Sequence, residues 1–477
     1  MGFIRLICKK YVLMKRKYLM ILLASLAIFG LASCEKVGPD VDIEIEEEEN
    51  EEVKEEEEED RIEYEVISDD TYVYAEFIND LIENSSLTSD LPEFQKLLVV
   101  SSINSYLERL KALVCVADEE LGFRRVTYLY DSTGQYGEPV TLSAMALWLG
   151  CFKGDEWTDI SPDQISLMEH FTITSNAECP SEGYPFEAFV NGNSLVIMPD
   201  YIGYGATKHM VHPYLNHSVC AGNSIDALVA GYALFDEVSA SDMNEGWTTI
   251  VSGASQGGGN ALAVHKYMDT HEEFAAEWNF SHSYCAAGPY DPALTVEIYL
   301  ENGKTDHPVL FPLTLESMRD SYPESFGRFD DADIYSENYL EHKAVIDEAL
   351  QSKQYTTAQM NSLCVEHLKV SMADDLYVSE ILLEDILSPQ LMDTESEVCK
   401  ALFECLRKND LTSGWIPVHH MKLYYSTSDE VVPHENALDA FEAFGADKVT
   451  LTKGLPMNHG TCCALWMLDV MNTMVPM

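Results

Sequence analysis

The chain has 477 residues and a formal net charge of −52. A protein with this much negative charge repels the phosphates of nucleic acid and the headgroups of anionic membranes. We therefore expect neither as a partner. The length suffices for one large domain that carries an insertion.

Residues 1–34 have the pattern of an export signal. The basic residues Lys15–Lys17 precede an apolar run, Tyr18–Ala32, and small residues follow. A basic start, a short apolar run and a small-residue end are typical of a secretory signal, and the run is short for a spanning helix. Leu-Ala-Ser before Cys34 resembles a bacterial lipobox, which implies that Cys34 is lipidated and begins the mature protein. An uncleaved anchor helix is the alternative.

Residues 35–65 consist mostly of Asp and Glu, including the unbroken run Glu55–Asp60. Like charges repel each other and bury no apolar surface, so we expect an extended, disordered tether. Acidic residues close behind a lipidated cysteine resemble the surface-export signals of some Gram-negative bacteria. We therefore expect an outer-membrane lipoprotein in the cell envelope, held to the membrane by its lipid, with surface exposure left open.

Strands and helices alternate from residue 66 onwards. The pattern predicts helix over Thr71–Leu113 and then two strands within Arg124–Leu149. Buried parallel strands are predicted to start at Gln164 and Ser194, followed by a helix over Ala221–Val238.

A glycine-rich turn between a strand and a helix carries the strongest functional signal. Residues Thr249–Asn260 read TIVSGASQGGGN, which contains Gly-x-Ser-x-Gly centred on Ser255. This pattern is a nucleophile elbow, in which a tight turn lifts the serine hydroxyl above the sheet and aims the next backbone N–H, that of Gln256, at a developing oxyanion. A phosphate cradle is the alternative, but the Lys-Ser/Thr of a P-loop is absent.

Two later segments supply partners for the serine. Asp429 follows an apolar strand that begins at Met421, and His459 follows a short strand that begins at Val449. We expect His459, in a loop, to accept the serine proton and Asp429 to orient it. Glu430 is the competing acid.

The second oxyanion donor is less well defined. The strand that starts at Gln164 leads into His170-Phe171-Thr172 instead of the usual His-Gly. We expect the donor to be the N–H of Phe171 or of Thr172. Asp200 either organises this loop or caps the turn that follows it.

From Arg124 onwards the chain resembles the α/β-hydrolases of the secreted-lipase and esterase type. The likeness rests on the elbow, on Pro-Asp-Tyr-x-Gly ahead of it and on Ser-Gln-Gly-Gly after the nucleophile. It implies an α/β fold whose mostly parallel central sheet is flanked by helices. Residues 66–291 and 416–477 would form its core, and residues 292–415 would be a helical cap between strands 6 and 7. The cap would roof the serine, unless it is a structural side domain.

The spacing of the cysteines indicates no metal site, and we expect no cofactor. The twelve cysteines form no Cys-x-x-Cys motif, and although export permits disulfides, the sequence does not pair them. Cys462 and Cys463 follow His459, where we expect them to pack near the site. We expect a monomer.

Three functions remain open. The leading hypothesis is hydrolysis of a small ester or lipid through an acyl-enzyme. A serine exo- or dipeptidyl-type peptidase of the same fold and a catalytically inactive surface binding lipoprotein are the alternatives.

Overall fold

The central sheet of the protein has ten strands. The computed structural model describes residues 63–78, 93–370, 377, 379–454, 456 and 458–475. The predicted signal, Cys34 and the tether as far as residue 62 lie outside the described residues. The strands of the described chain, including a small separate pair, β9 and β10, are β1 Tyr64–Val73, β2 Glu120–Thr133, β3 Pro139–Lys153, β4 Glu156–Asp159, β5 Gln164–Glu169, β6 Ser194–Pro199, β7 Thr248–Ala254, β8 Phe280–Ala286, β9 Lys304–Thr305, β10 Ile381–Leu382, β11 His420–Tyr425 and β12 Val449–Lys453.

The sheet is antiparallel at one end and parallel through the rest. Its order is β1-β2-β3-β6-β5-β7-β8-β11-β12, with β4 paired to β3. Strands β1, β2, β3 and β6 pair antiparallel, and every pair from β6 to β12 is parallel. The central parallel strands β5, β6 and β7 are buried along nearly their whole length because helices cover both faces, whereas the edge strand β12 is partly exposed. The predicted mostly parallel sheet is confirmed.

Helices flank the sheet and also form a long insertion. They are α1 Glu93–Val114, α2 His217–Val238, α3 Gln256–Thr270, α4 Glu272–Glu277, α5 Pro292–Asn302, α6 Leu310–Ser321, α7 Asp331–Ile334, α8 Glu337–Ser352, α9 Thr357–Leu368, α10 Pro389–Met392, α11 Glu397–Arg407, α12 Glu435–Phe444 and α13 His459–Met474. Short 3-10 helices lie at Asn176–Glu178, Phe186–Val190, Gly205–Thr207, Phe326–Arg328 and Leu383–Asp385.

Two apolar cores lie on opposite faces of the sheet. Alternate residues of β3 divide between them: Ala146 and Trp148 belong to the core beneath α2 and α3, whereas Met145 and Leu147 belong to the core beneath α1 and α13. This division follows from the two-residue period of a strand. By length and composition, helix α2 is apolar enough to span a membrane. However, 61% of its apolar stretch is buried inside the protein, as in a core helix.

The chain between β8 and β11 forms helices α5 to α11 and the two-stranded β9–β10 pair. We call this stretch, Pro292–Arg407, the helical insertion. Its apolar side chains form a third core with Tyr214 and Leu215. It occupies the part of the chain where the sequence predicts a cap.

The N-terminal edge of the sheet differs from the prediction. Residues Tyr64–Val73 form a strand paired with β2, where the sequence predicts the end of the tether and the start of a helix. Most of this strand is exposed, so it lacks the alternating apolar face that marks a strand in a sequence. Residues 74–78 are helical, residues 79–92 lie outside the described part, and α1 covers the rest of the predicted helix.

A disulfide joins Cys115, just after α1, to Cys151 in β3. The two sulfur atoms and a carboxylate oxygen of Glu119 lie within 4.8 Å of one another. Because both sulfurs are in the disulfide, neither is available as a thiolate ligand. The pairing was not predictable, since ten cysteines beyond the signal allow many combinations.

Candidate active site

Ser255 occupies a strained turn between β7 and α3. Its φ of 58° and ψ of −126° are unusual for a residue with a side chain. The turn is tight enough to require glycine on both sides: a Cβ at Gly253 would lie 2.3 Å from the Gly257 carbonyl oxygen, and one at Gly257 would lie 2.1 Å from that of Glu169. The Ser255 N–H donates to the Ala286 carbonyl at 2.8 Å. The turn therefore has the geometry of a nucleophile elbow.

Asp429 and His459 form a hydrogen-bonded pair at the same edge of the sheet. The His459 Nδ1 lies 2.8 Å and 3.0 Å from the two carboxylate oxygens of Asp429. Asp429 also accepts the N–H groups of Val431 and Val432, at 2.9 Å and 2.8 Å. These bonds hold the carboxylate in one orientation, so it can fix the imidazole tautomer with the proton on Nδ1.

Glu430, the competing acid, has a different role in this structure. Its carboxylate accepts the backbone N–H of His459 at 3.1 Å and makes no hydrogen bond to the ring. His459 is the first residue of α13, where the sequence predicts a loop, and the side chain of Asn458 caps this helix. The helix start fixes the backbone from which the imidazole projects.

The other ring nitrogen of His459 faces a thiol. Its Nε2 lies 3.8 Å from Cys463 Sγ, one helical turn further along α13. Burial lowers the pKa of His459, but Cys463 and the Asp429 carboxylate outweigh burial and raise it well above the usual value. Among the hydrogen bonds of the described residues, none joins Ser255 to His459. The structure thus forms the acid–histidine pair while the serine hydroxyl stays unbound to it.

Gln256, the residue after the serine, is clamped by His212. As the first residue of α3, Gln256 has a backbone N–H without an intrahelical acceptor. Its side-chain Nε2 donates to His212 Nε2 at 2.6 Å, and His212 Nδ1 therefore carries the proton that it donates to the Ile202 carbonyl at 2.7 Å. Burial lowers the pKa of His212 to about 3, so the ring stays neutral. Sequence order excludes His212 from a triad, and nothing in the sequence indicates this clamp.

The loop after β5 packs on the elbow. The carbonyl oxygens of Glu169 and His170 lie against Gly257. The Thr172 hydroxyl is 3.1 Å from the phenol oxygen of Tyr214, whereas the side chain of Phe171 is 38% exposed. Of the two predicted donors, Thr172 is the one whose side chain is buried in the site.

Asp200 connects strand β3 to the chain between β5 and β6. One carboxylate oxygen accepts the hydroxyl of Ser143, in β3, at 2.6 Å, and the other accepts the Ser181 N–H at 2.8 Å. Burial raises the pKa of Asp200 to about 6 despite these bonds. The side chain therefore holds these two segments together.

An apolar cavity opens beside Ser255, and we call it the serine cavity. The space that the centre of a water-sized sphere can occupy in this cavity is about 50 Å³. On the same measure one water molecule needs about 10–15 Å³, so the cavity has room for several. Its walls come from the elbow, the loop before α2, the helical insertion and the chain after Asp429. They are formed by Tyr214, Leu215, Ser255, Gln256, Pro289, Thr295, Val296, Tyr299, Leu300, Leu310, Phe311, Thr314, Leu315, Leu387, Leu391, Leu402, Val431 and Val432.

Three of the polar groups on the cavity wall are hydrogen-bonded to other parts of the protein. The Tyr299 phenol donates to the Val431 carbonyl at 2.8 Å, the Tyr214 phenol contacts Thr172, and the Thr295 hydroxyl donates to the Asp291 carbonyl at 3.0 Å. No lining side chain carries a charge. The cavity therefore suits a hydrocarbon chain better than a charged or polar group.

Comparison with known proteins identifies the fold. No protein-family model matches the sequence, and no curated protein matches it either. Among solved structures, the G231F mutant of the rice cell wall degrading esterase LipA from Xanthomonas oryzae is similar, with a TM-score of 0.58 and 21% identity over 77% of this chain and 92% of that one. A candidate hydrolase from Legionella pneumophila gives a TM-score of 0.61 and 16% identity over 87% and 97%. The chain has the α/β-hydrolase fold.

An α/β-hydrolase carries its nucleophile, acid and histidine in that order along the chain. Ser255, Asp429 and His459 occur in the same order, after β7, after β11 and after β12. Parallel strands present their carboxyl ends at one edge of the sheet. The three residues therefore share that edge, and Asp429 is hydrogen-bonded to two residues that line the serine cavity.

Proposed function

We propose that this protein is a serine hydrolase that cleaves carboxylic esters through an acyl-enzyme. The observation that carries the proposal is the strained Ser255 on the wall of an apolar cavity, at the same sheet edge as a hydrogen-bonded Asp429–His459 pair. A strained nucleophile, an oriented base and a cavity for an uncharged group are the parts that acyl transfer needs.

The reaction follows from the roles of these groups. His459 Nε2 removes the Ser255 proton as Oγ attacks the ester carbonyl, and the N–H groups of Gln256 and of Thr172 or Phe171 bind the resulting oxyanion. His459 then gives its proton to the leaving alcohol as the carbon–oxygen bond breaks. Water attacks the acyl-enzyme in the same manner and releases the acid and the free serine.

The imidazole has to exchange one partner during this reaction. Its Nε2 contacts Cys463 Sγ in this structure, whereas proton transfer needs a hydrogen bond to Ser255 Oγ. Asp429 holds the ring through Nδ1 in this structure. We therefore propose that the imidazole turns from Cys463 Sγ to Ser255 Oγ when substrate binds and keeps its bond to Asp429.

The walls of the serine cavity support an aliphatic ester as the substrate class. A peptidase of the exo- or dipeptidyl type needs an acidic group that binds the free amine of its substrate, and the cavity lining has none. The similar Xanthomonas oryzae protein is described as a cell wall degrading esterase, which fits ester chemistry on either a lipid or a cell-wall polymer. An inactive binding protein has no need of a strained serine and an oriented histidine at one edge of the sheet.

We also propose that the protein is exported and lipid-anchored through Cys34. The sequence pattern of residues 1–34 supports this, as does the Cys115–Cys151 disulfide, because disulfides persist in oxidising compartments. Metabolic labelling with an alkyne fatty acid tests the anchor. Wild-type protein should take up the label in the membrane fraction, and equal labelling of the Cys34→Ala variant would refute it.

The catalytic proposal is tested with p-nitrophenyl esters from acetate to palmitate, using the chain without residues 1–34. Ser255→Ala should abolish turnover and labelling by a fluorophosphonate probe. Ser252→Ala is the matched control, since Ser252 is a buried serine of β7, three residues before Ser255, and within the described residues its hydroxyl bonds only to the Met168 sulfur, at 3.5 Å. Turnover that survives in Ser255→Ala would refute the proposal, and the chain-length optimum would define the acyl group.

A further inference from the structure

The turn between α8 and α9 of the helical insertion is bound to the loop that follows β5. Three hydrogen bonds join them. The Asn176 N–H donates to the Lys353 carbonyl at 2.7 Å, the Thr174 hydroxyl to the Tyr355 carbonyl at 2.7 Å, and the Thr357 hydroxyl to the Thr172 carbonyl at 3.1 Å. We call residues 353–357 the docking turn and residues 171–176 the oxyanion loop.

Thr172 is held by the insertion from two directions. Its carbonyl accepts the Thr357 hydroxyl, and its own hydroxyl bonds to Tyr214. The Tyr214 carbonyl in turn accepts the hydroxyl of Ser317, which lies in α6 of the insertion, at 2.8 Å. Among the hydrogen bonds of the described residues, none uses the Thr172 N–H. The insertion therefore fixes the carbonyl and the side chain of Thr172, while its N–H, in the preceding peptide group, stays free to bind an oxyanion.

The docking turn also reaches the other oxyanion donor. Lys353 adopts a left-handed conformation with φ of 53°, and its ammonium lies 4.4 Å from the centre of the Tyr204 ring. That ring is 5.0 Å from the ring of His212, which accepts the amide of Gln256. One turn of the insertion thus supports both sides of the oxyanion hole through packed aromatic rings and hydrogen bonds.

Two sets of contacts place the oxyanion loop close to Ser255. Tyr214, which bonds to Thr172, lines the same cavity as Ser255. The two residues before the loop, Glu169 and His170, place their carbonyl oxygens against Gly257 of the elbow. A displacement of the loop therefore changes the distance between the Thr172 N–H and the reacting carbonyl, which controls transition-state stabilisation more than substrate binding.

We propose that the docking turn is a positioning element of the oxyanion hole, that Thr172 is its second donor, and that Thr357 is the positioning residue that holds it. This inference rests on the proposed function. It makes the helical insertion a part of the catalytic machinery as well as a wall of the substrate cavity. Thr357 touches no reacting atom and acts only through the Thr172 peptide.

Thr357→Val tests the inference, because valine keeps the shape of threonine and removes the hydroxyl. We expect kcat on the best p-nitrophenyl ester to fall about 10-fold, a fraction of the loss caused by removing an oxyanion donor outright. KM should change less than twofold. The inhibition constant of an alkyl boronic acid, which forms a tetrahedral adduct on Ser255, should rise by the same factor as kcat falls. Thr357→Ser should restore both values.

Ser362→Ala is the matched control, since Ser362 lies in α9 and, in the part of the chain that the structure describes, its hydroxyl bonds only to the Ala358 carbonyl of the same helix, at 3.0 Å. It should leave kcat and the inhibition constant unchanged. Thr174→Val removes a second bond of the docking turn and should reproduce the loss, whatever Thr357→Val does to folding. Wild-type kcat in both valine variants, or a rise in KM alone, would overturn the inference.

Failure of the inference is distinct from failure of the proposed function. If wild-type protein turns over esters and Ser255→Ala does not, unchanged kinetics in the valine variants refute only the role of the docking turn. If wild-type protein neither turns over esters nor reacts with the fluorophosphonate probe, both proposals fail. If the probe labels wild-type protein that does not turn over esters, the variants are compared by their rate of labelling with the probe, which also depends on the oxyanion hole.

Discussion

Gly257→Ala should lower the proposed esterase activity about 100-fold while leaving most of the fold intact. The new Cβ would lie 2.1 Å from the Glu169 carbonyl oxygen and 2.8 Å from that of His170, both backbone atoms that no side-chain rotation can move. The elbow and the end of β5 must therefore separate by about 1 Å. A shift of that size in a catalytic group costs on the order of 100-fold in rate, and such overpacking costs about 1–3 kcal/mol of stability.

The assay is kcat/KM on a p-nitrophenyl ester together with urea unfolding of the same preparation. Gly222→Ala is the matched control, because Gly222 also lies in a helix but has no atom within 4 Å of the added Cβ. It should keep full activity and gain up to about 1 kcal/mol from helix propensity. Activity of Gly257→Ala within twofold of wild type would refute the claim that the elbow is sterically closed.

Three further changes act on the site and the scaffold. Asp429→Asn should lower kcat by about 10³- to 10⁴-fold with little change in KM, because the amide favours the wrong imidazole tautomer; a loss below tenfold would contradict the acid assignment. Cys463→Ala removes a group that raises the pKa of His459. The neutral imidazole is the base, so activity falls as the pH drops through that pKa. The acid limb of the kcat/KM profile should therefore move to lower pH in the variant, and an acid limb at the wild-type pH would contradict the role of Cys463. Replacing both Cys115 and Cys151 by serine opens a loop with a sequence separation of 36 and should cost about 4 kcal/mol in urea unfolding, whereas an unchanged midpoint would exclude a stabilising disulfide.

The parts of the site that lie on local motifs were predictable from the sequence. The elbow around Ser255 needs a strand, two glycines and a helix in consecutive positions, so a dozen residues specify it. Asp429 and His459 could be named because strand ends and chain order limit the candidates. The parallel sheet was predictable for the same reason, since strands buried on both faces read as apolar runs.

Contacts between distant residues were not predictable. The clamp between His212 and Gln256 joins two residues separated by 44 positions, and Thr357 bonds to a carbonyl 185 positions away. Neither pair has a composition or spacing that sets it apart. Strand β1 was missed for another reason: it is a polar edge strand that pairs on one side only. Its sequence is therefore charged and polar where a central strand of this sheet shows an apolar run.

The separate core of the helical insertion has a consequence for how this protein can change. Leu315, Leu391 and Leu402 belong to that core and also line the serine cavity, while the elbow and the Asp429–His459 pair are built on the sheet. Mutations at these three positions therefore reshape the cavity through residues that the sheet does not need for its own packing. On the proposed function, selection for a new ester can act at these positions with the chemistry left intact, provided that the docking turn keeps its three bonds.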